Sequence, residues 1–558
     1  GNVTIDETRS TELMNPYYGQ FAVSGGVLYK GHSRSIAQNF QQLLSYTKDF
    51  GQHSVDVLVG HESYNMKSYS IGATKSGMFA PDYLELSGMV TDMSSSSSGK
   101  AEYNNEGYFF RAMYDYADKY YFSGSYRRDA SSRFHPDHRW GDFWSVSAAW
   151  LINRESWFNA SWVDMLKIKA SYGQQGNDNI PSYLYADQYS ISDDGNGGIA
   201  TIFGMKGNPN ITWETNSNLN VGVEFGFWGN RLSGSVEFFN RITTDMLFSL
   251  PVAPQLGYSS IWTNVGDMLN RGVEIELNAD LIRTKNVLWS FGLNMTHFKN
   301  EVLSLPDEYK TKTVEGYKGY ESGSYFRGEG LALYTFYMPT YAGVNKETGA
   351  PQWYTFKTNS AGEFVRDENG ERIREITESY SEASQNGREL HGNSTPKLYG
   401  GFNTSLNLYG FDLSVGFTYQ IGGKVYDSGY ASYMSSPFGS SVGENYHKDL
   451  YNAWTPQNTD TNVPRLQYND EYTTSTSSRF LVDASYLNIQ NIVLGYTLPQ
   501  RITRKFLVQR LRVYVACDNV WYWSQREGLD PRQGFSGGTS LYYYAPIRTF
   551  SGGVTISF

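Results

Sequence analysis

Leu219-Asn-Val-Gly-Val-Glu-Phe-Gly-Phe227 alternates large apolar residues with small or polar ones, and Trp228-Gly-Asn-Arg231 then turns the chain. A period of two puts Leu219, Val221, Val223, Phe225 and Phe227 on one face of a strand, with Asn220, Gly222, Glu224 and Gly226 on the other. The pattern recurs along the chain. Trp144, Val146, Ala148 and Trp150 alternate with Ser145, Ser147 and Ala149, and Leu166, Ile168, Ala170 and Tyr172 with Lys167, Lys169 and Ser171. Val273, Ile275 and Leu277, then Trp289, Phe291, Leu293 and Met295, then Phe411, Leu413, Val415, Phe417 and Tyr419 repeat it downstream. This is strand periodicity, and about 15–16 such strands are expected.

Alternation alone does not separate a soluble sandwich, whose apolar face meets a second sheet, from a wide barrel, whose apolar face meets lipid. Loop asymmetry does. Short turns fall at Tyr46–His53, Tyr116–Lys119, Trp228–Arg231 and Leu408–Phe411, and between them lie long polar connections, the longest expected from about His297 to Lys397. Short turns alternating with long loops is the pattern of an outer-membrane barrel, with periplasmic turns and extracellular loops. The expected fold class is therefore all-β, a transmembrane antiparallel β-barrel.

Composition agrees. The 558 residues hold 45 Tyr, 31 Phe and 13 Trp, and aromatics reach 16% of the chain, as expected of aromatic girdles. No run approaches the roughly 18 apolar residues of a membrane helix. The formal charge of -10 argues against a nucleic-acid partner. The single cysteine, Cys517, shares a face with Leu511, Val513 and Val515 and reads as a packed or lipid-facing residue. A large secreted β protein with a glycan-binding surface remains the soluble alternative.

The chain ends Thr549-Phe-Ser-Gly-Gly-Val-Thr-Ile-Ser-Phe558, with Phe550, Gly552, Val554, Ile556 and Phe558 on one face. An amphipathic last strand ending on Phe resembles the recognition signal of the barrel assembly machinery, carried here by Phe550, Val554, Ile556 and Phe558.

Several segments spread along the chain carry a more specific resemblance. They are Asp118-Lys-Tyr-Tyr-Phe-Ser-Gly-Ser-Tyr-Arg-Arg-Asp-Ala-Ser-Ser-Arg-Phe134, Arg139-Trp-Gly-Asp-Phe-Trp-Ser-Val-Ser-Ala-Ala-Trp150, and Leu166-Lys-Ile-Lys-Ala-Ser-Tyr-Gly-Gln-Gln-Gly-Asn-Asp-Asn179. Asn264-Val-Gly-Asp-Met-Leu-Asn-Arg-Gly-Val-Glu274, Tyr341-Ala-Gly-Val-Asn-Lys-Glu-Thr-Gly349 and Tyr486-Leu-Asn-Ile-Gln-Asn-Ile-Val-Leu-Gly-Tyr496 follow in order. Together they resemble the SusC/RagA class of TonB-dependent outer-membrane transporters of Bacteroidetes. The resemblance implies a barrel of about 22 strands with a plugged lumen. Residues 1–558 would be its C-terminal part, with the plug and the TonB-coupling segment lying in sequence before Gly1. It implies active import of a nutrient, most often an oligosaccharide, with oligopeptides as the main alternative. A SusD-like surface lipoprotein would be the lid, the TonB complex the energy source, lipid or lipopolysaccharide the surroundings, and a dimer of transporter–lid pairs the assembly. A plugless passive porin is the other reading.

Nothing reads as an enzyme, and neither a cofactor nor a metal is expected: the eight His residues lack zinc spacing. Arg127, Arg128, Asp129 and Arg133 look like a charge cluster and are expected to form a salt-bridge network at a loop root. Asp178, Asp460 and Asp518 are expected in ordered turns, without the further carboxylates a calcium site needs. The candidate ligand-binding residues are loop aromatics, whose flat faces stack on sugar rings: Trp353 and Tyr354, Trp521, Tyr522 and Trp523, and Tyr542, Tyr543 and Tyr544.

Overall fold

The computed structural model describes residues 1–19, 22–91, 95–436, 445–468, 472–540 and 545–558. Among these residues, sixteen strands hydrogen-bond in one antiparallel sheet whose spatial order is the order of the chain. Numbered along the sheet, they are β1 (Asn2–Met14), β2 (Val27–Phe50), β3 (His53–Ser76), β4 (Ser95–Tyr116), β5 (Tyr120–Ser131), β6 (Trp140–Leu151), β7 (Val163–Asn177) and β8 (Glu214–Phe227). Then come β9 (Leu232–Thr244), β10 (Asp267–Arg283), β11 (Val287–Ser304), β12 (Leu398–Leu408), β13 (Phe411–Ile421), β14 (Tyr486–Thr497), β15 (Arg510–Ser524) and β16 (Thr549–Ser557). The count agrees with the alternation. The boundaries are sharper than expected: β2 and β3 pair until Phe50 meets His53, so the turn is Gly51-Gln52 alone, and the longest connection is residues 305–397 because β11 runs on to Ser304.

The tight turns have a local cause. Tyr409 and Gly410 take φ of 48° and 94°, and Ala117 and Asp118 take 57° and 53°. Two consecutive left-handed residues make the hairpin turn whose twist matches that of antiparallel strands. The Asp115 carboxylate accepts from the Asp118 amide at 3.0 Å and holds the second of these turns.

The two faces of the sheet differ in chemistry. Val221, Val223, Leu494, Val513 and Val515 all stand exposed. Each such side chain kept in water forfeits roughly 1.5–3 kcal/mol, so in hydrocarbon rather than water this face is the stable one. The opposite face carries Lys167 and Lys169 on Glu224 at 3.2 and 3.0 Å, Lys169 on Glu237 at 2.7 Å, and Arg512 on Asp412. Aromatic rings gather at the short-turn ends: Tyr116, Tyr120 and Trp150 stack in series, and Trp162 packs on Phe227 and Trp228. No helix among the described residues is long and apolar enough to cross a membrane.

Contacts divide the chain into two compact units. One holds β1–β6 and the connections 178–213 and 245–265, and its core is Phe134, Phe143, Ile180, Leu184, Ile211 and Trp213. The other holds β10–β16 with their connections. There, residues 305–397 build their own sheets: five strands that include Tyr325–Gly328, Thr335–Pro339 and Arg388–Asn393, and three that run Tyr341–Val344, Pro351–Phe356 and Arg374–Thr377. The helix Tyr380–Asn386 is N-capped by Ser379, whose hydroxyl accepts from the Glu382 amide at 3.3 Å, while the Glu382 carboxylate accepts from the Thr377 hydroxyl at 2.7 Å. These connections are folded structures around Val314, Phe326 and Tyr337 rather than loose tethers.

Candidate functional site

The charge cluster at the end of β5 is a network, as expected. Arg127 pairs with Asp129 at 2.7 Å and with Glu62 at 3.0 Å, Arg128 lies 3.8 Å from Asp142, and Arg133 reaches Asp178 at 3.5 Å. Asp178 also accepts from the Tyr103 and Ser131 hydroxyls at 2.8 and 2.6 Å, so its oxygens are committed to the protein. Asp460 pairs with Lys346 at the surface, and Asp518 is a paired residue of β15. The expectation that Asp518 sits in a turn is therefore corrected: it lies inside a strand, just before Asn519, whose φ is 51°.

The predicted ligand aromatics scatter. Trp353 is 1% exposed and packs against Tyr341 and Tyr380 with ring centroids 6.3 and 5.3 Å away. It offers no face to a ligand, which corrects the expectation: it is the core of the three-stranded sheet. Tyr354, on the other side of the same strand, lies under the Arg374 guanidinium at 3.8 Å. Trp521, Tyr522 and Trp523 are in β15 and not in a loop, a second correction. Trp521 and Trp523 are 47% and 51% exposed and share the face of Val513 and Val515, so they belong to an aromatic girdle. Tyr522 points the other way, 5.7 Å from Arg532. Tyr542, Tyr543 and Tyr544 lie outside the described residues. Phe550, Val554, Ile556 and Phe558 are exposed along the last strand.

What the fold does assemble is a cavity of about 450 Å³ at the loop ends of β11–β14. Four rings line it, from four distant places in the chain: Phe298, Tyr399, Tyr486 and Phe535. Phe298 and Tyr399 meet edge to face at 6.1 Å. Gln420, Ser394, Lys424 and Arg532 supply the polar groups. Residues 525–540 form a strap along it. Ser394 donates to the Phe535 carbonyl at 2.8 Å, Tyr325 to the Ser536 carbonyl at 2.9 Å, and the Tyr426 amide to the Gly537 carbonyl at 2.7 Å. Arg526 pairs with the buried Asp427 and covers the Tyr430 ring at 4.0 Å. Burial pushes the Tyr430 hydroxyl up to about 12, so it stays protonated and donates to Asp449 at 2.8 Å.

Arg532 is the fixed point of the strap. The buried Asp530 carboxylate accepts from its Nε and Nη2 at 2.8 and 2.7 Å. Asn488, with its amide turned so that each end meets a complementary partner, accepts from Nη1 at 3.1 Å and donates to the Trp521 carbonyl at 3.2 Å. A second cavity of about 500 Å³, which shares Phe298 and Pro396, continues the trough past Asn300, Glu315, Tyr317 and Lys397. The volumes suit small-molecule or oligomer subsites, which run from roughly 300 to 1,000 Å³. Sequence reasoning missed this set because its members lie at strand ends and on one strap. The aromatic opening β14, Tyr486, was the visible clue.

A sixteen-strand antiparallel sheet, apolar on one face, with tight turns alternating with long folded connections, defines an integral β-barrel chain of the outer membrane. Residues 4–520 match the model of the family "TonB dependent receptor-like, beta-barrel", and the chain belongs to that family. It is 29% identical over 555 residues to TonB-dependent receptor P3 of Formosa agariphila, covering 95% of this chain and 53% of that protein. It is 24% identical to TonB-dependent receptor SusC of Bacteroides thetaiotaomicron, covering 99% of this chain and 53% of SusC. Among solved structures, the RagAB peptide importer in its "closed-closed" state superposes with a TM-score of 0.85 at 26% identity, over 100% of this chain and 59% of that one. The chain thus spans about half the length of the curated relatives it matches.

Proposed function

We propose that this chain is the C-terminal barrel part of an active outer-membrane importer of the SusC/RagA type. The observation that carries the reading is the family match over nearly the whole chain, joined to an aromatic and polar trough at the loop ends of the sheet. In this reading the strands form a wall with no unpaired backbone in lipid. The folded connections catch the nutrient and receive a SusD-like lipoprotein as lid. A plug, coupled to TonB, opens the inward path. The barrel contributes binding and enclosure and no covalent chemistry.

The cargo proposed is an oligosaccharide, because rings set around hydroxyl, amide and amine groups match the alternating flat faces and hydroxyl edges of sugars. Oligopeptide import is the second reading, favoured by the likeness to structures titled as a peptide transporter and a peptide importer. The test is growth and uptake in a strain lacking the gene. Loss of growth on a complex glycan supports the first reading and loss on peptides the second. Unchanged uptake of every such source would sink both.

A further inference from the structure

Among the described residues, one cation lining the 450 Å³ cavity has no counter-charge. Arg532 is fully used by Asp530 and Asn488. Lys424 is half-buried, lines the cavity, and has no carboxylate within ion-pair distance among the described residues, in a protein whose formal charge is -10. The acid opposite it in the strand pair, Asp483, accepts instead from the Ser485 amide and hydroxyl. The adjoining cavity carries both Lys397 and Glu315, neither of them ion-paired among the described residues, so the anion preference rests on Lys424. The Lys424 ammonium is not sealed in the protein, so an anion that enters the cavity can pair with it directly.

We infer that the trough selects an acidic oligosaccharide, the Lys424 ammonium pairing with a carboxylate or sulfate while Tyr399, Tyr486, Phe298 and Phe535 cover sugar faces. The inference rests on the import reading and narrows its cargo. A saccharide fits better than a peptide because the outer edge of the strand Lys424–Tyr426 is already engaged at Tyr426, which leaves little of it for an extended backbone. One side pairs with Leu481–Asp483, and on the other the Tyr426 amide is held by the Gly537 carbonyl.

The experiment uses the full-length protein in detergent on an array of neutral, carboxylated and sulfated oligosaccharides, with acidic peptides of matched length. Acidic glycans should bind and their neutral counterparts should not. Lys424→Gln should weaken binding by about tenfold or more, the scale of one charge-assisted hydrogen bond, and Lys424→Arg should largely retain it. Heat-modifiable migration on gels shows that each variant has folded. Preference for neutral glycans, preference for acidic peptides, no binding to any acidic glycan, or equal binding by Lys424→Gln would each overturn the inference. The import reading fails separately, through uptake that ignores the energised membrane.

Discussion

Trp353 and Trp521 carry the same side chain into opposite surroundings, and composition does not distinguish them. Both lie among aromatics between polar stretches, yet one is the centre of a three-stranded sheet and the other faces outward from β15. Trp353→Ala should destabilise the 305–397 connection by about 3–5 kcal/mol, the range for emptying a large aromatic site. Hydrogen exchange should localise the loss there, whereas Trp521→Ala should leave that connection unchanged. His391 makes a second case. Its Nε2 lies 3.2 Å from both the Met338 carbonyl and the Thr340 hydroxyl, and burial lowers its pKa below the ordinary 6.5. The unfolded chain then binds the proton first, so the local stability is complete above pH 6.5 and falls as the pH drops below it. His391→Gln should flatten that dependence, as read from hydrogen exchange of Arg388–Asn393 at pH 5 to 8. The cavity residues were the least legible. Phe298, Tyr399 and Phe535 are unremarkable at their own positions, and with Tyr486 they become a site only when four segments converge.

Strands were legible because each one faces two solvents, and alternation is the direct record of that. Their number and the tight turns could be read from Leu219–Phe227 and its repeats. The ends of the long strands could not, because β2 and β3 continue past the apolar band as polar pairs such as Ser35 opposite Ser68 and Ser33 opposite Ser70. The connections hid their structure for a related reason: strands of three to six residues, such as Tyr325–Gly328 and Pro351–Phe356, are too short to show a period. The strap is the element whose geometry is most demanding. Gly537 has φ of 77°, and a Cβ there would fall 2.5 Å from the Lys424 carbonyl. Gly537→Ala should therefore free residues 525–540, seen as new protease cleavage in the strap while the barrel keeps its heat-modifiable migration. For the last strand we propose the assembly role read from its pattern. Removal of Phe558 should lower the amount of protein in the outer-membrane fraction without changing its synthesis.

At the scale of the molecule, the exposed apolar face and the family match lead to the same place. The protein should sediment with outer membranes, resist carbonate extraction and dissolve only in detergent. Recovery in the soluble fraction would contradict the fold assignment. The central claim, however, is that this wall and its trough serve energised import, and one measurement tests it most directly. Cells that express the full-length gene are given fluorescently labelled acidic and neutral oligosaccharides and peptides, and accumulation is followed with and without an uncoupler of the proton gradient. Accumulation that depends on the gene and collapses with the uncoupler is the predicted result. Gene-dependent entry that the uncoupler leaves unchanged would make the protein a passive pore and contradict the account.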